Sequence, residues 1–192
     1  MKVGLYFGTY NPVHIGHMAI ANYMLEYTEI DRLWFIISPQ SPFKTHKKLL
    51  DNYQRLEMVY RAIADDTRMK ASSIEFKLPI PSYTIDTLTY LKEDFPDHEF
   101  YLIMGTDNLE TIDKWKNSDI LLEEYKLLVY PRPGFDRTNY QPHPNIQLVN
   151  APIMEISSSF IRKAVSEGKN VRHFLPLKTY EYISEMHFYE SK

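Results

Sequence analysis

Residues 2–17 read KVGLYFGTYNPVHIGH, and this stretch decides the fold class. Lys2–Gly8 is rich in apolar and aromatic side chains, which is typical of a strand. The turn residues Thr9–Pro12 follow, and from Gly16 onward apolar side chains recur at the three- and four-residue spacing of a helix. A strand that passes through a short turn into a helix is the first unit of an α/β sheet.

The same alternation of strand and helix continues along the chain. LWFII at 33–37 and YLIM at 101–104 are almost continuously apolar, as expected for strands of a parallel sheet that is covered on both faces. The pattern predicts an α/β parallel sheet with helices on both sides. The predicted strands are Lys2–Gly8, Arg32–Ser38, Lys70–Phe76, Glu99–Gly105, Lys126–Arg132 and Ile146–Ala151, and the predicted helices are Gly16–Glu29, Gln54–Asp65, Thr84–Phe95 and Lys178–His187.

The composition is that of an ordinary globular domain. The chain has 192 residues, of which 44% are hydrophobic and 24% charged, so we expect one domain over residues 1–192 whose C-terminal helical portion, from about residue 157, packs on the rest. The net charge of −3 gives no overall positive field that would attract nucleic acid. No apolar run reaches the roughly 20 residues that a membrane-spanning helix needs. The lack of cysteine excludes disulfides and a thiol nucleophile, and we expect a cytoplasmic protein.

Two histidines stand where the first helix is predicted to begin. The first turn of a helix presents free backbone N–H groups and a partial positive charge, which attract anions. His14 and His17 are three residues apart, so both can point into such a site, and Gly8 and Gly16 allow a phosphate to approach the backbone. The alternatives are a structural or surface pair, or half of a metal site for which the sequence offers no evident third ligand.

A second candidate anion site lies near the C-terminus. The run Ser157–Ser159 precedes a short predicted helix that ends at Gly168, and serines in this position also cap helix N-termini. Arg162 falls in the first turn, where a cation opposes the helix dipole unless an anion is held nearby. The pattern therefore favours phosphate binding by Arg162, while capping stays open as the structural alternative for the serines.

Both segments resemble the HxGH nucleotidylyltransferase superfamily. GTYNPVHIGH at 8–17 looks like its signature, although the commonest form has Gly in place of Phe7 and Phe-Asp in place of Tyr10-Asn11, and ISSSFIR at 156–162 is similar to its ISSTxxR-type element. The resemblance implies a Rossmann-like, doubly wound sheet and direct attack of a substrate phosphate on the α-phosphate of ATP, with Mg²⁺ entering with ATP. The implied ATP-binding residues are Gly8, Thr9, Tyr10, His14, His17, Gly105, Asp107, Ser157, Ser158, Ser159 and Arg162.

The middle of the chain resembles the bacterial nicotinate-mononucleotide adenylyltransferases of this superfamily. PSYTIDTL at 81–88, GTDN at 105–108 and RPG at 132–134 are similar to their PSYTxxTL, GxD and RPG elements, and Trp115 matches a tryptophan that stacks on the pyridine ring. Taken singly, Tyr83 and Trp115 could be core aromatics, Asp107 a helix cap and Arg132 a solvated charge. The mononucleotide-binding residues that the resemblance implies are Lys44, Tyr83, Thr84, Trp115, Lys116 and Arg132.

Lys44 lies in the proline-containing loop Ser38–Asn52. Its spacing from the second strand matches the family's basic loop, which often reads PPHK where this chain reads SPFK. The resemblance therefore implies that Lys44 reaches the phosphates and acts in catalysis together with His14, His17 and Arg162. We interpret the neighbouring lysines of the loop, Lys47 and Lys48, as solvated surface charges.

The sequence thus predicts an enzyme that joins the AMP of ATP to nicotinate mononucleotide and releases pyrophosphate. The expected partners are these two nucleotides, with no nucleic acid and no membrane, and a homo-oligomer is left open. The alternatives within the superfamily are a nicotinamide-mononucleotide and a pantetheine-phosphate adenylyltransferase, and the PSYT segment and Trp115 argue against the latter. A regulator that binds nucleotides without turnover is the alternative from another class.

Overall fold

The computed structural model describes residues 1–39, 49–135 and 142–191, which contain a six-stranded sheet and the helices that cover it. The strands are β1 (Lys2–Gly8), β2 (Arg32–Ile37), β3 (Met69–Ser72), β4 (Glu99–Gly105), β5 (Lys126–Tyr130) and β6 (Ile146–Leu148). The helices are α1 (Ile15–Tyr27), α2 (Asn52–Ile63), α3 (Thr84–Asp94), α4 (Thr106–Leu109), α5 (Ser118–Glu124), α6 (Ser158–Ser166) and α7 (Leu177–Glu185). Short 3₁₀ turns cover Ile74–Lys77, Ile112–Lys114 and Arg172–Phe174.

The strands lie in the order β3-β2-β1-β4-β5-β6, and every neighbouring pair is parallel. The chain moves outward from β1 to β3, returns to the other side of β1 with β4, and then moves outward again. The direction of the connections therefore reverses between β1 and β4, which is where open α/β sheets bind ligands at the carboxyl ends of the strands. This topology confirms the doubly wound, Rossmann-like sheet that the sequence predicts.

Alternate residues of the central strands enter two apolar cores, one on each face of the sheet. In β2, for example, Leu33, Phe35 and Ile37 belong to one core, whereas Trp34 and Ile36 belong to the other. The first core is completed by α1, α2, α6 and α7, and the second by α3 and α5. Helices on both faces explain why these strands read as continuously apolar. Among the described residues, no helix has the length and apolar character needed to cross a membrane.

Four strand predictions are too long, those of β2 and β5 by one and two residues and those of β3 and β6 by more. β3 ends at Ser72 instead of Phe76, because its pairing with β2 stops at Ile36 opposite Ser72 and the chain then turns through the 3₁₀ turn Ile74–Lys77. β6 ends at Leu148 instead of Ala151, since its pairing with β5 stops there. β-branched and aromatic residues continue beyond both ends, so the sequence pattern alone does not locate where a strand loses its neighbour.

Candidate active site

A cavity of about 310 Å³ opens at the carboxyl ends of β1 and β4, where the strand order reverses. This volume is at the small end of the range for ligand pockets. The strand ends form its base, and the starts of α1 and α6 contribute to its walls. Its lining includes these residues that the sequence predicts as site residues: Gly8, Thr9, Tyr10, His14, His17, Asp107, Trp115, Arg132, Ser157, Ser158, Ser159 and Arg162.

The two histidines lie at the start of α1, as predicted. His14 is the N-cap residue and is 5% exposed, while His17 lies one turn further and is partly exposed. The backbone N–H of His14 donates to Nδ1 of His17 at 3.2 Å, and the two rings stack with their centroids 3.8 Å apart. Because Nδ1 of His17 accepts this bond, the neutral ring carries its proton on Nε2, which can donate to a phosphate oxygen.

Burial keeps both imidazole rings neutral. Burial, followed by the positive charge of Arg132, lowers the pKa of His14 to about 4. Burial, with His14 and Arg132 as smaller causes, also lowers the pKa of His17 well below its usual value. An anion bound between the rings and Arg132 would oppose both effects, since an opposite charge favours the protonated form. Before any ligand arrives, the neutral rings can therefore donate hydrogen bonds, and the positive charge near them is that of Arg132.

We expect His14 in the ligand-free protein to titrate near pH 4, below the value of 6.5 for an unperturbed histidine. The unfolded chain then binds more protons than the native protein at intermediate pH. The contribution of His14 to stability is therefore complete above pH 6.5 and decreases as the pH falls toward 4. NMR titration of the ring carbons measures this pKa, and saturating ATP should raise it. A ligand-free pKa of 6.5 or above would contradict the burial of His14.

Tyr10 supports the histidines from the side of the core. It has a φ of 45° and is 2% exposed, and its ring meets the His17 ring edge-on with 5.1 Å between centroids. Its hydroxyl donates to the backbone oxygen of Tyr6 at 2.5 Å. A Cβ at Gly8 would lie 2.8 Å from Cζ of Tyr10, so the glycine makes room for this ring. The Tyr10 side chain thus fixes His17, while its predicted contact with ATP stays a prediction.

The start of α6 is fastened to the turn that carries the histidines. Ser157 is the N-cap, and its Oγ accepts from the backbone N–H of Phe160 at 3.2 Å. Ser158 Oγ donates to the backbone oxygen of Pro12 at 2.9 Å. Ser157 therefore has the capping role that the sequence left open, and Ser158 joins two segments that are far apart in the chain.

Arg162 extends from α6 over the same turn. Its Nη1 donates to the backbone oxygen of Asn11 at 2.7 Å, and its Nη2 donates to Ser159 Oγ at 3.2 Å. In the described part of the chain no carboxylate forms an ion pair with it. A cation that lines a cavity at a helix N-terminus with neutral partners is suited to hold an anion.

Asp107 and Arg132 also line the cavity. Asp107 Oδ1 and Arg132 Nε are 3.6 Å apart, and the backbone N–H of Arg132 donates to Thr106 Oγ1 at 2.9 Å. Gly105 leaves room for both side chains, since a Cβ at this position would lie 2.4 Å from Asp107 Oδ1 and 2.7 Å from Arg132 Cγ. Gly105, not Asp107, is the N-cap of α4. Asp107 is thus no helix cap, and Arg132 forms an ion pair with Asp107 while its side chain stays 39% exposed.

The other predicted mononucleotide-binding residues form a group beside the cavity. Thr84 is the first residue of α3, and Tyr83, its N-cap, is 37% exposed. Lys116 Nζ lies 5.0 Å from the centre of the Tyr83 ring and 2.8 Å from both carboxylate oxygens of Asp86. Trp115 links this group to the cavity that it lines, and its Nε1 is buried without a partner among the described residues.

Lys44 falls outside the described residues, so its role stays a prediction. Two other residues behind the cavity, Asn11 and Arg55, were not predicted as site residues, and Arg55 lies outside every motif identified in the sequence. Arg55 lies on the same face of α2 as the buried Met58 and Val59. A charged residue on an apolar face is the one signal that could have drawn attention to it.

The acidic groups of the cavity fit a metal that arrives with a substrate. Within the described ranges no group of three or more His, Cys, Asp or Glu side chains could hold a metal ion. Asp107 lines the cavity, and its Oδ1 is buried without a hydrogen-bond partner. Proteins commonly bind Mg²⁺ through one or two carboxylates together with substrate phosphates. Asp107 therefore suits a Mg²⁺ that is carried by a nucleotide.

Comparison with known proteins gives a consistent assignment. The model of the cytidylyltransferase-like family matches residues 5–164. A probable nicotinate-nucleotide adenylyltransferase of Flavobacterium johnsoniae is 52% identical over 99% of this chain and 100% of its own length. One from Bacteroides thetaiotaomicron is 45% identical over 96% of this chain and 92% of its own.

The fold is also that of a solved relative. The Plasmodium falciparum nicotinic acid mononucleotide adenylyltransferase complexed with NaAD has a TM-score of 0.82 and 22% sequence identity, covering 98% of this chain and 97% of that one. The cavity, the two helix N-termini that flank it and the full-length similarity agree. The chain belongs to the nicotinate-nucleotide adenylyltransferase family of the cytidylyltransferase-like proteins.

Proposed function

We propose that this protein transfers AMP from ATP to nicotinate mononucleotide, forming deamido-NAD and pyrophosphate. The observation that carries the proposal is the cavity at the carboxyl ends of β1 and β4. Two neutral histidines, two arginines and the N-termini of α1 and α6 line it. Such a site is built for phosphates. The names of relatives that are 45–52% identical over nearly the full length support the choice of acceptor.

In the proposed reaction an oxygen of the mononucleotide phosphate attacks the α-phosphorus of ATP. The bond from the α-phosphorus to its bridging oxygen breaks, and pyrophosphate leaves with the electron pair. His14 and His17 donate hydrogen bonds to the charged oxygens, and Arg162 holds the leaving pyrophosphate together with the serines at the start of α6. Since a phosphate oxygen is the nucleophile, the protein has to position groups and stabilise charge, and no side chain has to form a covalent bond.

Asp107 is the described cavity residue that would hold Mg²⁺ carried by ATP. Bound there, the ion would neutralise negative charge on the phosphates. Gly8 and Thr9 line the cavity and would contact the nucleotide through their backbone, while Gly105 makes room for Asp107 and Arg132. Tyr10, whose ring fixes His17, completes this wall. These contacts with ATP are part of the proposal.

The acceptor is proposed to bind between Trp115 and the start of α3. A planar pyridine ring favours stacking on the indole, and a carboxylate favours the free backbone N–H groups of the first helical turn at Tyr83 and Thr84. The backbone N–H of Lys116 would contribute to the same carboxylate, while Arg132 faces the phosphate. Lys44 completes the predicted set. The helix N-terminus favours nicotinate over nicotinamide, because the amide has no negative charge.

Replacement of Trp115 by alanine should weaken binding of nicotinate mononucleotide about tenfold and leave ATP affinity nearly unchanged. A stacked aromatic pair contributes about 0.5–1.5 kcal/mol beyond the area it buries, and 1.4 kcal/mol corresponds to tenfold. Calorimetric titration with each nucleotide measures both affinities. Trp115→Phe, which retains an aromatic face, is the matched control and should lose less. Equal weakening of both nucleotides would show that Trp115 is structural.

Release of pyrophosphate from ATP tests the proposed reaction itself. We expect release only when ATP, a divalent metal and nicotinate mononucleotide are all present, and none when nicotinate riboside, which lacks the attacking phosphate, replaces the mononucleotide. Release without an acceptor would indicate simple hydrolysis. Binding of both nucleotides without release would favour the regulator that does not turn over. A cytoplasmic location stays a prediction, which cell fractionation would test, and sedimentation would determine the oligomeric state that the sequence leaves open.

A further inference from the structure

Arg55 is a buried cation that forms no ion pair with a carboxylate in the described ranges. It lies in the first turn of α2 and is 0% exposed. Burial lowers its pKa, although the nearby Asp51 acts in the opposite direction. Burying a charge is unfavourable unless hydrogen bonds replace the lost water, and apolar residues of similar volume often stabilise a core better. Arg55 is therefore not explained by stability alone.

The guanidinium of Arg55 joins three segments of backbone. Its Nη1 donates to the backbone oxygens of Thr9 at 2.6 Å and Ser38 at 2.8 Å, and its Nε donates to that of Leu50 at 3.1 Å. Its Nη2 donates to the backbone oxygen of Pro39 at 3.3 Å and to Asn52 Oδ1 at 2.6 Å. One planar group thus holds the turn after β1 against the end of β2 and the start of α2.

The same network continues to Arg162. The backbone N–H of Leu50 donates to Asn11 Oδ1 at 3.3 Å, and Arg162 Nη1 donates to the backbone oxygen of Asn11 at 2.7 Å. Asn11 is 1% exposed, and its Oδ1 also accepts from the hydroxyl of Tyr189 at 2.8 Å. Leu50 and Asn11 therefore connect a buried arginine behind the cavity to an arginine that lines it.

We propose that Arg55 is a positioning residue for adenylyl transfer, which fixes the turn at Thr9–Asn11 and, through Leu50 and Asn11, the guanidinium of Arg162. The inference rests on the proposed function. Arg55 does not line the cavity, so it acts only through the residues it holds. Displacement of reacting groups by about 1 Å can cost 10²-fold in rate, which is why a remote support can control turnover.

Arg55→Lys tests this role because it keeps the positive charge and removes the planar guanidinium with its five N–H donors. A lysine ammonium has three donors at one point and cannot reach the five oxygens that the planar guanidinium bonds. We expect kcat to fall about 10- to 100-fold, with a smaller change in KM for ATP. The control is Met58→Ala, a buried change on the next turn of α2, which should keep kcat of the folded protein within about twofold of the wild type.

The outcomes separate this inference from the proposed function. Failure of the wild-type protein to release pyrophosphate would contradict the function, whereas an active wild type with a folded, equally active Arg55→Lys variant would overturn only the role of Arg55. If Arg55→Lys does not fold, Asn52→Ala removes one acceptor of the guanidinium, and Gln54→Ala on the same turn is its control. We then expect kcat to fall severalfold for Asn52→Ala alone, and equal values for both variants would overturn the inference.

Discussion

His17→Ala should lower kcat by about 10²–10³ while the protein stays folded. The variant loses the ring that stacks on His14 at 3.8 Å and the Nε2–H that is proposed to donate to the transferred phosphoryl group. Preorganised donors aimed at developing charge contribute about 3–4 kcal/mol each to the lowering of the barrier. Steady-state kinetics measures the loss, circular dichroism checks the fold, and His14→Ala should behave similarly.

His98→Ala is the matched control for these variants. His98 precedes β4 and packs against Trp34 and Phe100, at the end of the sheet opposite to the cavity. We expect its kcat to stay within about twofold of the wild type. Retention of more than about a tenth of wild-type turnover by His17→Ala would contradict the assigned role.

Arg162→Ala should lower kcat about 10²-fold, and Arg162→Lys should restore little of it. Arg162 donates to Asn11 with Nη1 and to Ser159 with Nη2, and lysine has no such fork. Arg162→Ala also removes a cation from the cavity, so KM for ATP should rise. Lys163→Ala, which removes the next residue's 76% exposed cation, should change neither constant appreciably. Equal effects of Arg162→Ala and Lys163→Ala would indicate that only overall charge matters.

The fold could be predicted because the pattern is strong where both faces of the sheet are buried. β2 and β4 are continuously apolar, and the structure assigns their alternate residues to two cores. The ends of β3 and β6 could not be predicted, since each strand ends where its pairing with the neighbouring strand stops. That information lies in the partner strand, far away in the sequence.

The segments of the candidate site could also be predicted, but not the contacts that join them. The motifs at residues 8–17 and 156–162 meet through Ser158 and Pro12, and through Arg162 and Asn11. The sequence contains no pattern for the contacts of Arg55, because four of its acceptors are backbone oxygens that every residue has. The contact of the buried Tyr10 ring with His17 was not predicted, because the surrounding motif pointed only to a contact with ATP, which stays a prediction.

The ratio of kcat/KM for nicotinate and nicotinamide mononucleotide tests the proposed function most directly. The purified protein is incubated with ATP, Mg²⁺ and each acceptor in turn. Mass spectrometry identifies the dinucleotide, and the amount of released pyrophosphate is measured in parallel. We predict one pyrophosphate per dinucleotide and a preference for nicotinate of at least about tenfold, since a site that binds a carboxylate leaves its donors poorly matched to an amide. Equal or greater efficiency with nicotinamide mononucleotide, or no dinucleotide from either acceptor, would contradict the proposal.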